Sequence, residues 1–211
     1  WAQGYEAYSN DLKACSGGHP EWHLQMDAFE AIEIEEWDML IAHPVCTALT
    51  CSAEWAHKDP DYKKYPKVGY HQKVKSGTLV GAERREARKE AVELVKKLYN
   101  CKIPKICIEN PVGALTKMFR PPSQYVQPFN FGDPYSKKTG LWLKGLDPLV
   151  ATNELTVEKD GYLAKNGKYR WMNQTPTGQS NVPPSADRAT IRSKTFKGIS
   201  SAMANQFTKY K

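Results

Sequence analysis

Trp37-Asp38-Met39-Leu40-Ile41-Ala42 runs into His43-Pro44-Val45-Cys46-Thr47. An apolar strand that breaks at a proline into a thiol-bearing loop decides the fold, because open α/β sheets place their chemistry outside the carboxyl ends of their strands. A second apolar strand, Ile106-Cys107-Ile108, ends in Glu109-Asn110-Pro111. Between the two, Ala87, Ala91, Leu94, Val95 and Leu98 recur at helical spacing, which predicts an amphipathic helix ending near Asn100. Strand, helix, strand is the rhythm of a parallel βαβ unit. A nucleophile at one strand end and a carboxylate at the other could then converge on one substrate.

Toward the N-terminus, Glu6-Ala7-Tyr8-Ser9-Asn10-Asp11 and Trp22-His23-Leu24-Gln25-Met26-Asp27 each read as a short strand ending in an acid, the second followed by a short helix over 28–36. Acids at consecutive strand ends suit the ribose and base of a nucleoside-bearing cofactor. They suit helix N-caps equally well. Residues 53–80 are polar and basic, with Asp59-Pro60 and Tyr65-Pro66 as breakers, and read as a long irregular loop. Loops of that length are uncommon unless functional or mobile. Phe131-Gly132-Asp133-Pro134 opens a turn that feeds a strand over 141–145. Beyond it periodicity fades, except for a hairpin predicted at Asn166-Gly167. Small residues over 198–207 predict a closing helix that packs back onto the domain.

With 211 residues, 40% of them hydrophobic, the chain can build one domain with a real core. No apolar run approaches the roughly 20 residues that cross a bilayer. The net charge of +7 favours a polyanionic partner, nucleic acid foremost. In the basic cluster at 84–97, Glu83, Glu86, Glu90 and Glu93 alternate with the bases, which predicts a solvated helix face. Five cysteines, with no CxxC, indicate a reducing, cytoplasmic compartment. Gly17-Gly18 and Pro20 break up any helical face that would join Cys15, His19 and His23, so no metal is assigned. Trp1-Ala2-Gln3-Gly4 reads as the end of a helix, and further N-terminal sequence is expected before it.

Taken in order, these pieces resemble the motif series of the DNA cytosine-C5 methyltransferases, most nearly the short versions carried by bacteriophages and prophages. Ser9-Asn10-Asp11 resembles the motif whose acid binds the ribose hydroxyls of S-adenosylmethionine, and Met26-Asp27 the next, whose acid contacts the adenine amino group. Asp38 to Thr47 resembles the strand and loop of the catalytic cysteine, and Glu109-Asn110-Pro111 the Glu-Asn-Val motif. Phe131 to Gly145 is similar to the basic motif that follows, and Thr195 to Phe207 to the C-terminal motif that completes the cofactor pocket.

The resemblance implies an α/β fold: a doubly wound, mostly parallel sheet of the S-adenosylmethionine-dependent methyltransferase, Rossmann-like type. Residues 1–150 would form the catalytic domain, lacking its first strand and Gly-rich loop, 151–190 a small recognition insert, and 191–211 the returning helix. Cys46 would be the nucleophile at cytosine C6 and Glu109 the proton donor at N3. Asp11, Asp27, Pro44 and Asn205 would hold S-adenosylmethionine. Lys137, Lys138, Arg170 and Trp171 would meet DNA, whose target base must be flipped out or single-stranded. A cytoplasmic monomer in a bacterial host is expected. The chain departs from the family pattern at Val45 and Thr47, where Pro and Gln are usual, and at Pro111, where Val is usual. Val45 lacks proline's fixed φ. Lys137 and Lys138 stand in for Gln and arginines, and lysine lacks the bidentate fork.

The same residues have plainer roles open to them: Cys46 as a small buried thiol, Glu109 as a capping or ion-paired carboxylate, Trp171 as hairpin core. The small insert also suits C5 modification of a free pyrimidine nucleotide. The altered neighbours of Cys46 suit a catalytically inactive DNA-binding relative.

Overall fold

A computed structural model describes residues 4–183, 185, 191 and 194–209. Trp1, Ala2 and Gln3 of the expected helix end, and parts of the segments 151–190 and 191–211, lie outside the described residues. In chain order the elements are β1 (Ser9–Asn10), β2 (His23–Leu24), α1 (Ala28–Glu33), β3 (Met39–Ala42), α2 (Gly81–Tyr99), β4 (Lys105–Pro111), α3 (Leu115–Met118), β5 (Gln124–Val126), β6 (Thr139–Lys144), α4 (Val157–Asp160), β7 (Tyr162–Leu163), β8 (Tyr169–Arg170) and α5 (Lys197–Gln206).

The main sheet is built on β4, whose side chains alternate between two apolar layers. Ile106 and Ile108 face a core with Val92, Val95 and Leu98 of α2, Ile32 of α1 and Trp142 of β6. Cys107 faces the opposite core, which Leu141 and Leu143 of β6 share with Ile199, Ala202, Met203 and Phe207 of α5. Period-two alternation sends neighbours on one strand to opposite faces. Because both faces are covered, β4 and β6 read as continuous apolar runs rather than as alternating ones. Trp142, 1% exposed, donates its indole N–H to the Arg120 carbonyl at 2.9 Å, so its polar atom is satisfied within the core.

The strand order is β3-β4-β6-β5, with β3 parallel to β4 and both β4–β6 and β6–β5 antiparallel. β1 and β2 make a separate parallel pair. The protein is therefore α/β, but with small mixed sheets where a mostly parallel one was expected. The cause lies in the connections. Parallel neighbours need a crossover of a dozen or more residues, usually helical. α2 supplies one between β3 and β4, whereas the link from β5 to β6 contains only a 3₁₀ turn at Pro128–Asn130.

The hairpin is present, with β7 and β8 antiparallel around Gly167, whose φ of 76° only glycine adopts readily. Its far side is tied to the loop before β6, since Asn173 exchanges two hydrogen bonds with the Ser136 backbone, at 3.0 and 2.9 Å. α5 packs Ile199, Ala202 and Met203 against Leu141 and Leu143 of β6. No helix of the described residues is long and apolar enough to cross a membrane.

Candidate active site

The register of β3 against β4 creates the site. Ala42, the last residue of β3, pairs with Ile108, so the chain leaving β3 runs on beside β4, and the next residues along the two are His43 and Glu109. His43 Nδ1 lies 2.6 Å from Glu109 Oε2. One step further, Asn110, 1% exposed, donates its side-chain N–H to the Pro44 carbonyl at 3.1 Å. Two successive β4 residues thus hold the first two residues of the loop that carries Cys46.

Glu109 follows Cys107 onto the face covered by α5. A narrow cleft there is lined by Glu109, Val126, Lys137, Thr139, Phe196 and Ile199, among others. Lys137 Nζ lies 4.0 Å from Glu109 Oε1. Burial is the largest influence on the Glu109 carboxyl and pushes its pKa up. The His43 hydrogen bond, the Lys137 and His43 charges and a Thr139 hydrogen bond together outweigh it, holding the pKa below the ordinary range. At neutral pH Glu109 is accordingly a carboxylate. It can give a proton to a substrate only after acquiring one.

Cys46 sits at the head of a turn, its carbonyl accepting from Leu49 N at 2.9 Å and Thr50 N at 3.0 Å. The thiol is half-buried, and no hydrogen bond engages it among the described residues. Two arginines of α2 reach back to the same turn: Arg84 Nη2 donates to the Thr47 carbonyl at 3.1 Å, and Arg88 Nε to the Ala48 carbonyl at 2.8 Å. Arg88 is itself held by both carboxylate oxygens of Glu54, at 2.9 and 2.8 Å. Arg84 is 6% exposed and donates through Nε to His57 Nε2 at 3.1 Å. The solvated helix face expected at 84–97 is thus corrected at these two positions. They clamp the thiol-bearing loop, because their long side chains can bury their stems while donors at the tip reach loop carbonyls and the remaining ones go to His57 and Glu54.

The cysteines differ in environment. Burial, then the Glu109 charge, pushes the Cys107 thiol up to about 12, so it stays protonated and unreactive. Cys46, in contrast, is accessible at the strand exit.

The other expected site residues fall elsewhere. Asp27 caps α1, its Oδ1 accepting from Phe29 N at 2.8 Å. A cap of this kind is worth about 1 kcal/mol. Asp11 is exposed just beyond β1, and its Oδ1 accepts from Lys13 N at 3.0 Å. Asp11 thus follows β1 directly and Asp27 lies three residues past β2, whereas Glu109 is on a strand of the other sheet. Asn205 lies on the exposed side of α5. Lys138 Nζ stands 4.3 Å from the Tyr125 ring centroid. Trp171 stacks on Phe129, with centroids 4.6 Å apart and planes at 3°. Arg170 Nε donates to the Pro176 carbonyl at 3.1 Å.

The structure brings together Glu109, Lys137 and, through Asn110, Pro44. It also adds His43, Arg84 and Arg88, which the sequence did not single out. Comparison of the chain with family models, with curated proteins and with solved structures gives no match.

Proposed function

We propose that this chain is an S-adenosylmethionine-dependent methyltransferase acting on C5 of cytosine in DNA, of the Rossmann-like type, a reading supported by the parallel pairing of β1 with β2 and of β3 with β4 in their two sheets. The observation that carries the proposal is the end of β3 beside the last residues of β4. There the loop of an accessible thiol is tied to a buried carboxylate and its neighbour through His43–Glu109 and Pro44–Asn110.

Cytosine C5 is a poor nucleophile, and addition of a thiolate to C6 makes it enamine-like. Cys46 performs that addition. A free thiol has a pKa of about 8.5, so it is deprotonated as it attacks. Electron density displaced into the ring is neutralised by a proton that Glu109 delivers to N3. Lys137, beside Glu109 on the cleft wall, supplies positive charge near substrate phosphate. The aromatic ring returns when C5 loses its proton, N3 gives its proton back to Glu109, and the Cys46 thiolate departs.

The donors present suit one half of S-adenosylmethionine. Asp11, just past the end of β1, matches ribose hydroxyls, and Asp27, in the loop after β2 at the start of α1, matches the adenine amino group. Pro44 and Asn205 are proposed to complete the nucleoside side. No Gly-rich turn for the methionine end is among these residues. When bound, the cofactor supplies an electrophilic methyl group. The basic balance of the chain and the Lys137–Lys138 pair suit a DNA strand, with Arg170 and Trp171 offered by the hairpin. A cytoplasmic monomer is proposed.

The test is incubation of the full-length protein with methyl-tritiated S-adenosylmethionine and either duplex DNA or dCMP. Label in DNA is expected. Label confined to dCMP identifies a free-nucleotide enzyme instead, and DNA binding with no label anywhere identifies a non-catalytic relative.

A further inference from the structure

His43 has no part in the mechanism above, yet it makes the shortest polar contact of the site. It directly follows β3, and its ring touches Glu109 of β4 at 2.6 Å. Exposure differs sharply across that contact. The His43 side chain is 45% exposed and that of Glu109 10%. A buried carboxylate that must be protonated once per cycle, and is ionised at rest, needs a proton source. The half-exposed imidazole is the group through which solvent protons can reach it.

We propose that His43 supplies, and afterwards takes back, the proton that Glu109 delivers to cytosine N3. The inference rests on the methyltransferase function proposed above. The titratable groups facing Glu109 are His43, from the loop after β3, and Lys137, from the segment before β6, while Cys107 lies two residues back on β4 as a neutral thiol. Lys137 at 4.0 Å, aimed at the other oxygen, holds negative charge on the carboxylate, whereas an imidazole can also hand over its proton. The balance closes within the pair. As Cys46 bonds to C6, the proton moves from His43 Nδ1 to Oε2 of Glu109 and on to N3, leaving His43 neutral. When the thiolate leaves, the N3 proton returns to Glu109 and then to His43. The C5 proton departs separately to a base or to water. His43 is a positioning residue in this scheme, since it acts only through Glu109.

The test compares His43→Gln and His43→Ala with wild type in DNA methylation across pH. Glutamine can still donate a hydrogen bond to Oε2 but cannot titrate. The active pair carries one proton, so wild-type kcat falls on the alkaline side as the pair loses it. In His43→Gln the carboxyl must carry that proton alone, and the alkaline limb is expected to move down by about one pH unit or more. At neutral pH kcat should fall about 100-fold with KM for DNA nearly unchanged. Added imidazole should restore part of the rate in His43→Ala. Wild-type activity with an alkaline limb that stays in place in His43→Gln overturns the role of His43 alone. A wild-type protein that transfers no methyl group to DNA at any pH overturns the proposed function and this role together.

Discussion

Cys46→Ala is expected to abolish methyl transfer to DNA, lowering the rate by on the order of 10⁴-fold or more, the scale seen when the nucleophile of a covalent mechanism is removed. The fold should survive the change. The turn at Cys46 is held through its backbone carbonyl, which the substitution leaves in place, and the half-buried thiol makes no hydrogen bond among the described residues. Thermal unfolding should therefore shift by no more than a few degrees. Cys51→Ala is the matched control, because Cys51 is exposed and lies on the far side of that turn. It should retain full rate. Equal loss in both variants would point to damage of the loop rather than to removal of a nucleophile.

Gly113→Ala is expected to be the most damaging small substitution in the scaffold of the site. A Cβ at residue 113 would stand 1.9 Å from the Leu49 carbonyl oxygen and 2.8 Å from Thr50 Cα, both backbone atoms with no rotamer to yield. The contact exists because the Cys46 turn lies directly on the segment leaving β4. Ala114 N donates to the Leu49 carbonyl at 2.7 Å, and Thr50 bridges to Gly113. Relief requires the two segments to part, which breaks that bond and loosens Leu49, a fully buried core residue. The cost is about 3 kcal/mol, at the upper end for overpacking. For a chain of this size that is roughly 10 °C in Tm. A calorimetric Tm within about two degrees of wild type would show that the two segments are not packed this closely.

Much of the scaffold was legible because it rests on local patterns. The period of Ala87, Ala91, Val95 and Leu98 marks α2, Asn166-Gly167 marks the hairpin, and Ile106-Cys107-Ile108 marks a strand covered on both faces. β5 was not legible. It is only Gln124–Val126, set between prolines 122 and 128, too short to show alternation. Without it the antiparallel half of the sheet could not be anticipated. Within the site, Cys46 and Glu109 stood out as reactive residues at strand ends. His43 did not, since its partner is fixed by the register of β3 against β4, a long-range property. Arg84 and Arg88 were masked by composition. Alternating charge reads as solvent exposure, and only the tertiary fold places loop carbonyls over that part of α2. Asp27 shows the converse case: both of its expected roles were open in the sequence, and in the structure its carboxylate caps α1.

The central claim is that Cys46 bonds covalently to cytosine C6, and it can be trapped directly. In DNA carrying 5-fluorocytosine at the target, the fluorine at C5 cannot leave as a proton, so the thiolate cannot be expelled once the methyl group has been added. Full-length protein, this DNA and S-adenosylmethionine should give a complex that survives denaturation, runs as one species on a gel and yields a base-linked peptide containing Cys46. Cys46→Ala should give none. No adduct from wild type, or an adduct that persists in Cys46→Ala, would contradict the account.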